Sequence, residues 1–241
     1  MKAWLRLVRL PNLLTVPGDP VAGYFLAASM QNKAIALQPL MGVVLAALLL
    51  YSAGMIWNDV ADFSEDCRSR PKRPLPSGRI RRESAFVVAL LLAVSGIVVA
   101  SLAGINASVV AGLLTLCIAL YDFGRSGKSR LSRWLGFALM GACRGLSFLM
   151  GAAVVISPPN WTGAIWGAAV VISLYISGVT LIAYRETEES FLSCYVGSMI
   201  RFMLVIQAVF CFYAGHSRVA AVLALVWVVL MMKKQSVTDS V

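Results

Sequence analysis

The chain has 241 residues, of which 59% are hydrophobic and 13% charged, where a soluble domain carries roughly a quarter of its residues charged. That composition excludes an ordinary water-soluble globular protein and implies a solvent that is mostly lipid. The formal net charge of +10 comes without the soluble basic face that nucleic-acid binding needs, so it reads as membrane topology plus anion binding, with no nucleic acid among the partners.

A hydrocarbon core of roughly 30 Å takes about 20 apolar residues per helical crossing. The sequence offers eight apolar runs in succession, at 12–30, 40–58, 84–103, 105–122, 134–156, 161–183, 191–215 and 217–232, the last short for a full crossing. The expected fold is all-α, one polytopic transmembrane helical bundle over residues 1–241. Pro11, Pro17 and Pro20 interrupt the first run and no A-x-A-type cleavage site precedes a soluble domain, so it is expected to stay in the mature protein. Prolines in a membrane helix remove backbone bonds that neighbours must replace, which predicts a kinked first span packed against the bundle. This reading places no acidic residue mid-span, which weighs against a cation transporter.

With the N-terminus inside, seventeen of the 21 Lys and Arg residues fall on the cytoplasmic side, in the N-terminal segment, in 68–82, in 125–133 and near 185 and 233–234. Lys33 and Arg218 fall outside; Arg144 and Arg201 lie within spans. This asymmetry predicts an integral inner- or plasma-membrane protein with both termini cytoplasmic. The five cysteines show no C-x-x-C pair and are assigned no function. His216, the one histidine, is expected to face solvent in an external turn.

The second run ends in Trp57-Asn58-Asp59-Val60-Ala61-Asp62-Phe63-Ser64-Glu65-Asp66, and a basic, proline-rich stretch runs on from Arg68 to Gly78. Asn58, Asp62 and Asp66 are four apart, so on a continuing helix they share one face, about 6 Å per step, with Asp59 beside them. Stacked carboxylates repel one another unless a cation stands between them, and all-oxygen ligands suit a hard ion such as Mg²⁺, which takes its remaining ligands from phosphate and water. Asn58, Asp59, Asp62 and Asp66 are therefore the candidate metal set. Lys72 and Arg73 are candidate diphosphate ligands, the arginine offering a planar fork to phosphate oxygens. Pro71, Pro74 and Pro76 stop the helix and stiffen the loop that would fold these two residues over the site. A solvated helix end with a positive-inside anchor explains the basic residues alone, but leaves acid at helical spacing at a membrane mouth without a purpose.

The string Asn58-Asp59-x-x-Asp62-x-x-x-Asp66, with Arg73-Pro74-Leu75-Pro76-Ser77-Gly78 after it, resembles the first signature of the UbiA superfamily of intramembrane prenyltransferases. The resemblance implies that Asp59, Asp62 and Asp66 are the catalytic carboxylates, holding Mg²⁺ and the diphosphate of an isoprenoid donor. It implies that Asn12, in Arg9-Leu10-Pro11-Asn12, lines the site. It also implies that Tyr121 and a basic residue after it, Arg125 or Lys128, reach the diphosphate, although a plain positive-inside loop explains those cations as well.

The family's second acidic motif comes after the sixth helix, where this chain reads Tyr184-Arg185-Glu186-Thr187-Glu188-Glu189. Glu186 and Glu189, at i and i+3, are the better pair for a second metal, with glutamate in place of the family's aspartate and Glu188 able to replace either. Arg144, between Gly141, Ala142 and Gly145 in the fifth run, is costly in lipid unless it pairs. A partner Asp and a substrate carboxylate or phosphate are the two options for it.

The family usually has nine helices, and eight are expected here. The implied reaction is Mg²⁺-dependent prenyl transfer from a polyprenyl diphosphate donor to a hydrophobic aromatic or lipid acceptor, with membrane lipid around it. Trp57, Phe63 and Tyr121 are nominated to stabilise an allylic cation. The alternative is a non-enzymatic isoprenoid or lipid carrier, or an inactive UbiA-like protein. A CDP-alcohol phosphotransferase is set aside because its D-G-x-x-A-R string does not occur.

Overall fold

The computed structural model describes residues 2–124, 130–186 and 193–238, and among these residues there is no strand. The helices are α1 (Lys2–Leu7), α2 (Leu10–Leu13), α3 (Gly18–Met30), α4 (Leu37–Ala61), α5 (Phe63–Ser69), α6 (Arg82–Ala103), α7 (Ile105–Phe123), α8 (Arg130–Val155), α9 (Gly163–Glu186), α10 (Ser193–Tyr213) and α11 (Ser217–Thr238). Six of them, α4 and α6 to α10, are long and apolar enough to cross a membrane. The first and last of the eight expected runs are the exceptions. The last gives an apolar stretch of Ser217–Met232 within α11.

The first run does not form the single kinked helix expected over 12–30. Pro17 stands at the N-cap of α3 and a proline opens α2, so the chain breaks between Leu13 and Gly18. Helix α3 has only 13 residues and reaches about 20 Å at 1.5 Å per residue. Its packing against the bundle is as expected, with Asp19, Pro20 and all of Ala22 to Ala28 buried.

The packing obeys the rule that membrane helices approach through small residues. On α6 every buried residue is Ala or Gly, at 85, 89, 93, 96 and 100, a spacing of three to four that makes one stripe. The opposite face shows Val87, Leu90, Leu91, Val94, Val98 and Leu102, large apolar side chains that suit lipid. The small stripe lies against α4, where a methyl on Gly96 would press into Leu50. Helix α3 meets α8 in the same way: a methyl on Gly23 would overlap the Phe148 carbonyl, and one on Gly151 the Pro20 carbonyl. Helix α8 also packs on α7 and α9, and α10 joins α3, α9 and α11.

The sequence reading missed an acid inside the first run. Asp19 is fully buried, and its Oδ2 lies 2.8 Å from Nε of Arg144. Arg144 also donates to the Thr15 carbonyl at 3.0 Å, and Gln207 Nε2 donates to that carbonyl at 2.9 Å and to Asp19 Oδ1 at 2.6 Å. The intramembrane arginine is thus paired with a protein carboxylate, the first of its two options. His216 lies in the turn between α10 and α11, half-buried, with its ring 4.3 Å from that of Phe25.

Removing one partner of a buried ion pair strands the other, at about 3–5 kcal/mol, whereas an apolar replacement of both is often near neutral. Asp19→Leu and Arg144→Met alone should each lower the thermal midpoint of the purified chain in detergent sharply. The double variant should recover most of the loss.

Candidate functional site

Helix α4 carries the acidic motif to the end of the bundle but does not run through it unbroken. It ends at Ala61, with Asp62 at φ −82°, ψ 5° joining it to α5. The bonding register survives this joint: the Asp62 N–H donates to the Asn58 carbonyl and the Asp66 N–H to the Asp62 carbonyl, both at 2.9 Å. The expected i, i+4 relation of the three residues therefore holds across two helices instead of one.

After α5 the chain reverses through Pro71 to Pro76 and brings Arg73 back onto the acids, as the proline content predicts. Arg73 Nη1 lies 2.6 Å from Asp66 Oδ2 and 3.6 Å from Asp59 Oδ1. Arg70 Nη1 stands 3.8 Å from Asp66 Oδ1. From the other side comes Arg9, with Nη2 3.6 Å from Asp59 Oδ1 and donating to Asn58 Oδ1 at 3.4 Å. Arg9 sits at φ 49°, ψ 57° between α1 and α2. A non-glycine residue in that left-handed region costs roughly 1–2 kcal/mol, and the turn it makes there carries the side chain to Asn58 and Asp59. The side chains of Asp59 and Asp66 are only 8% and 4% exposed.

These groups edge a cleft of about 610 Å³ whose lining includes Arg6, Arg9, Arg70, Lys72 and Arg73 around Asp59. Further along α4 lies a second space, a narrow chamber of about 70 Å³, room for a couple of water molecules. Ala47, Tyr51, Gly54 and Met55 of α4 line it, with Leu114, Ile118, Tyr121 and Asp122 of α7 and Met140, Cys143, Arg144 and Ser147 of α8. Unbranched Met55 and Met140 can re-pack to widen it. Asn58 Nδ2 donates to Asp122 Oδ1 at 3.3 Å, so the motif at the cleft and the chamber wall are one hydrogen bond apart.

Of the residues expected from sequence, Asp59, Lys72 and Arg73 line this cleft, Asn58 and Asp66 join it through Arg9 and Arg73, and Tyr121 and Arg144 line the chamber. Asp62 sits at the joint between helices. Asn12 is in the lining of neither space. Arg125, Lys128 and Glu189 lie outside the described residues, and Glu186 ends α9 with its side chain undescribed. Trp57 packs on Phe123 and Phe63 lies under the Arg82 guanidinium, so of the three nominated aromatics only Tyr121 is in the chamber wall. Tyr51 and Asp122 were missed. Tyr51 is seven residues before Asn58, on the same helix face, and Asp122 comes directly after Tyr121.

Among the described residues no three acidic, histidine or cysteine side chains stand close enough together to hold a metal ion. The expected set Asn58, Asp59, Asp62 and Asp66 is thus not assembled as a cage. The residues nevertheless fit Mg²⁺ on two counts. Asp59 Oδ1 is buried and accepts no hydrogen bond, and it converges with Asp66 Oδ2 on a single cationic nitrogen, that of Arg73. An all-oxygen set facing phosphate-sized space is what a hard divalent ion requires.

Fold and site together define a polytopic membrane protein with a cationic, carboxylate-edged mouth above an apolar chamber. The model of the UbiA prenyltransferase family matches residues 20–238, and the chain belongs to that family. It is 32% identical to the digeranylgeranylglyceryl phosphate synthase of Sulfurisphaera tokodaii, over 64% of this chain and 56% of that one. It is 30% identical to the enzyme of the same name from Methanopyrus kandleri, over 69% and 57%. The chain thus spans under two thirds of the length of these relatives. A UbiA homologue from Archaeoglobus fulgidus bound to GPP and Mg²⁺ superposes with a TM-score of 0.63 at 14% identity, over 98% of this chain and 87% of that one. A digeranylgeranylglyceryl phosphate synthase structure gives 0.61 at 18% identity, over 95% and 94%. At such identities these structures speak for the fold alone.

If the cleft is an anion site, inorganic pyrophosphate should bind the purified chain. Lys72→Ala should weaken that binding about tenfold, the size of one charge-assisted contact, and the difference should shrink in high salt. Calorimetric titration at low and high ionic strength reads both.

Proposed function

We propose that the protein transfers a prenyl group from an isoprenoid diphosphate to an acceptor within the membrane, with Mg²⁺ as cofactor. The observation that carries this reading is the shared face of α4. Ala47, Tyr51 and Gly54 line the apolar chamber, and Asn58 and Asp59 continue at the same spacing at the charged mouth. A ligand with a hydrocarbon tail and a diphosphate head matches that sequence of environments. The names of the relatives favour a lipid acceptor of the glyceryl phosphate kind over an aromatic one.

Asp59, Asp62 and Asp66, with Asn58, would hold Mg²⁺; Glu186 and Glu189 are the candidates for a second ion. When bound, Mg²⁺ supplies charge neutralisation to the leaving diphosphate. Arg9, Lys72 and Arg73 bind and orient the phosphate oxygens, with Arg125 or Lys128 as further candidates. As the allylic C–O bond loosens, the ring faces of Tyr51 and Tyr121 stabilise positive charge on the prenyl carbon. The low-dielectric wall of the chamber keeps water from that carbon. The acceptor oxygen or carbon forms the new bond and loses its proton, and diphosphate departs with the bonding electrons. We place this mouth on the cytoplasmic side, in keeping with the distribution of Lys and Arg.

A second reading, a carrier of isoprenoid diphosphates, draws support from the carboxylates' present pairing with arginine and from glutamate in the second motif. Membranes containing the protein should convert radiolabelled geranyl, farnesyl or geranylgeranyl diphosphate into a labelled product when lipid-alcohol and aromatic acceptors are supplied. The product should vanish without Mg²⁺ and in Asp62→Ala. Donor binding without any product across the panel would turn the assignment to the carrier.

A further inference from the structure

The cation position between Asp59 and Asp66 is already taken by the protein itself. Among the described residues, Arg73 Nη1 is the one atom within ion-pair distance of both carboxylates, 2.6 Å from Asp66 Oδ2 and 3.6 Å from Asp59 Oδ1. Arg73 is delivered there by the turn that Pro71 and Pro74 stiffen, and it also lines the cleft where a diphosphate would sit. Its side chain is 27% exposed, so it can turn towards the cleft without uncovering the core.

A Mg²⁺ ion and a guanidinium cannot both occupy the space between two buried carboxylates, because like charges repel strongly where water is scarce. A metal arriving alone would have to expel Arg73 into a cleft already edged by Arg6, Arg9, Arg70 and Lys72, which is electrostatically unfavourable. A diphosphate arriving with the metal gives the displaced guanidinium a bidentate partner.

We propose that Arg73 is an exchangeable counter-ion for the metal site. It neutralises Asp59 and Asp66 in the ligand-free protein and passes to the diphosphate when Mg²⁺ takes its place, so that the site accepts the donor as its metal complex and not metal first. This rests on the proposed Mg²⁺-diphosphate function and adds to it a positive coupling between metal and diphosphate, located in one side chain. By linkage the coupling is reciprocal, each ligand tightening the other by the same factor.

Mn²⁺ as a paramagnetic stand-in for Mg²⁺ makes this measurable without turnover. The purified full chain is titrated with Mn²⁺ while free aqueous Mn²⁺ is tracked by electron paramagnetic resonance, with and without geranyl S-thiolodiphosphate, a slowly reacting donor analogue. For the native chain the analogue should tighten Mn²⁺ about tenfold or more, within the usual range for such coupling. Arg73→Gln should bind Mn²⁺ alone about tenfold more tightly than the native chain and lose most of the coupling. Arg73→Lys, which keeps the charge, should stay close to native. Arg70→Gln removes the same charge from an arginine that reaches only Asp66, at 3.8 Å, and should change Mn²⁺ binding far less.

Unchanged or weaker binding of Mn²⁺ alone by Arg73→Gln would overturn the exchange, as would equal gains in Arg70→Gln and Arg73→Gln, which mark a general field effect. Native protein that binds no Mn²⁺ even with the analogue would overturn the metal-diphosphate reading itself. Because tighter binding is a gain, a misfolded variant cannot imitate the expected result.

Discussion

A carboxylate and a guanidinium inside hydrocarbon must find each other, and the pair of Asp19 and Arg144 fixes more than its own two helices. It ties α3 to α8, and Gln207 brings α10 to the same carboxylate. Because α3 is too short to define its own place in a bilayer, this polar junction and the glycine contacts with α8 hold it. Through the turn before Gly18, α3 sets where α2 begins, and with it where Arg9 meets Asn58 and Asp59. An interaction in the membrane interior thus positions one wall of the charged mouth.

The opposite wall depends on α4, whose apolar and polar parts share a face. Around Ala46 and Leu50 it accepts the small-residue stripe of α6. This leaves the flank with Tyr51 and Met55 free to meet α7 and α8 around the chamber. The polar end begins where the helix reaches the bundle's edge, the depth at which carboxylates can keep water and ions near them. Asn58 is the hinge of this division, accepting from Arg9 on the cleft side and donating to Asp122 on the chamber side.

How much of this could be read from the sequence depends on how local each signal is. The apolar run at 84–103 announced α6 by its length, while its packed stripe of Ala and Gly came from the structure. The acid-then-base order after α4 announced the mouth, because helical spacing and proline stops are properties of neighbouring residues. The bond between Arg144 and Asp19 joins positions 125 apart in the chain, and nothing periodic marks such a partner. Arg9 escaped for a different reason: its backbone turns left-handed at a residue type that rarely does so, and that turn aims it at the site. The continuous helix through Asp62 failed at one residue, whose dihedrals lie between helical and extended values while its hydrogen bonds stay in register. Arg125, Lys128 and Glu189, lying outside the described residues, remain expectations of the sequence alone.

The two arginine-carboxylate clusters use the same chemistry and are suited to opposite ends, and access to water separates them. In the interior pair the side chains are 10% and 0% exposed, and Arg144 opens only onto the narrow chamber, so breaking the pair means stranding a charge. At the mouth, Arg73 and Arg9 are 27% and 40% exposed, and both line, with Asp59, a cleft wide enough for an anion. There the pairs can be traded, since a guanidinium leaving Asp66 can be met at once by phosphate oxygens or by water. Burial therefore decides the role: deep in the bundle the ion pair is a fixed joint, and at its edge it is a set of contacts that an incoming ligand can exchange.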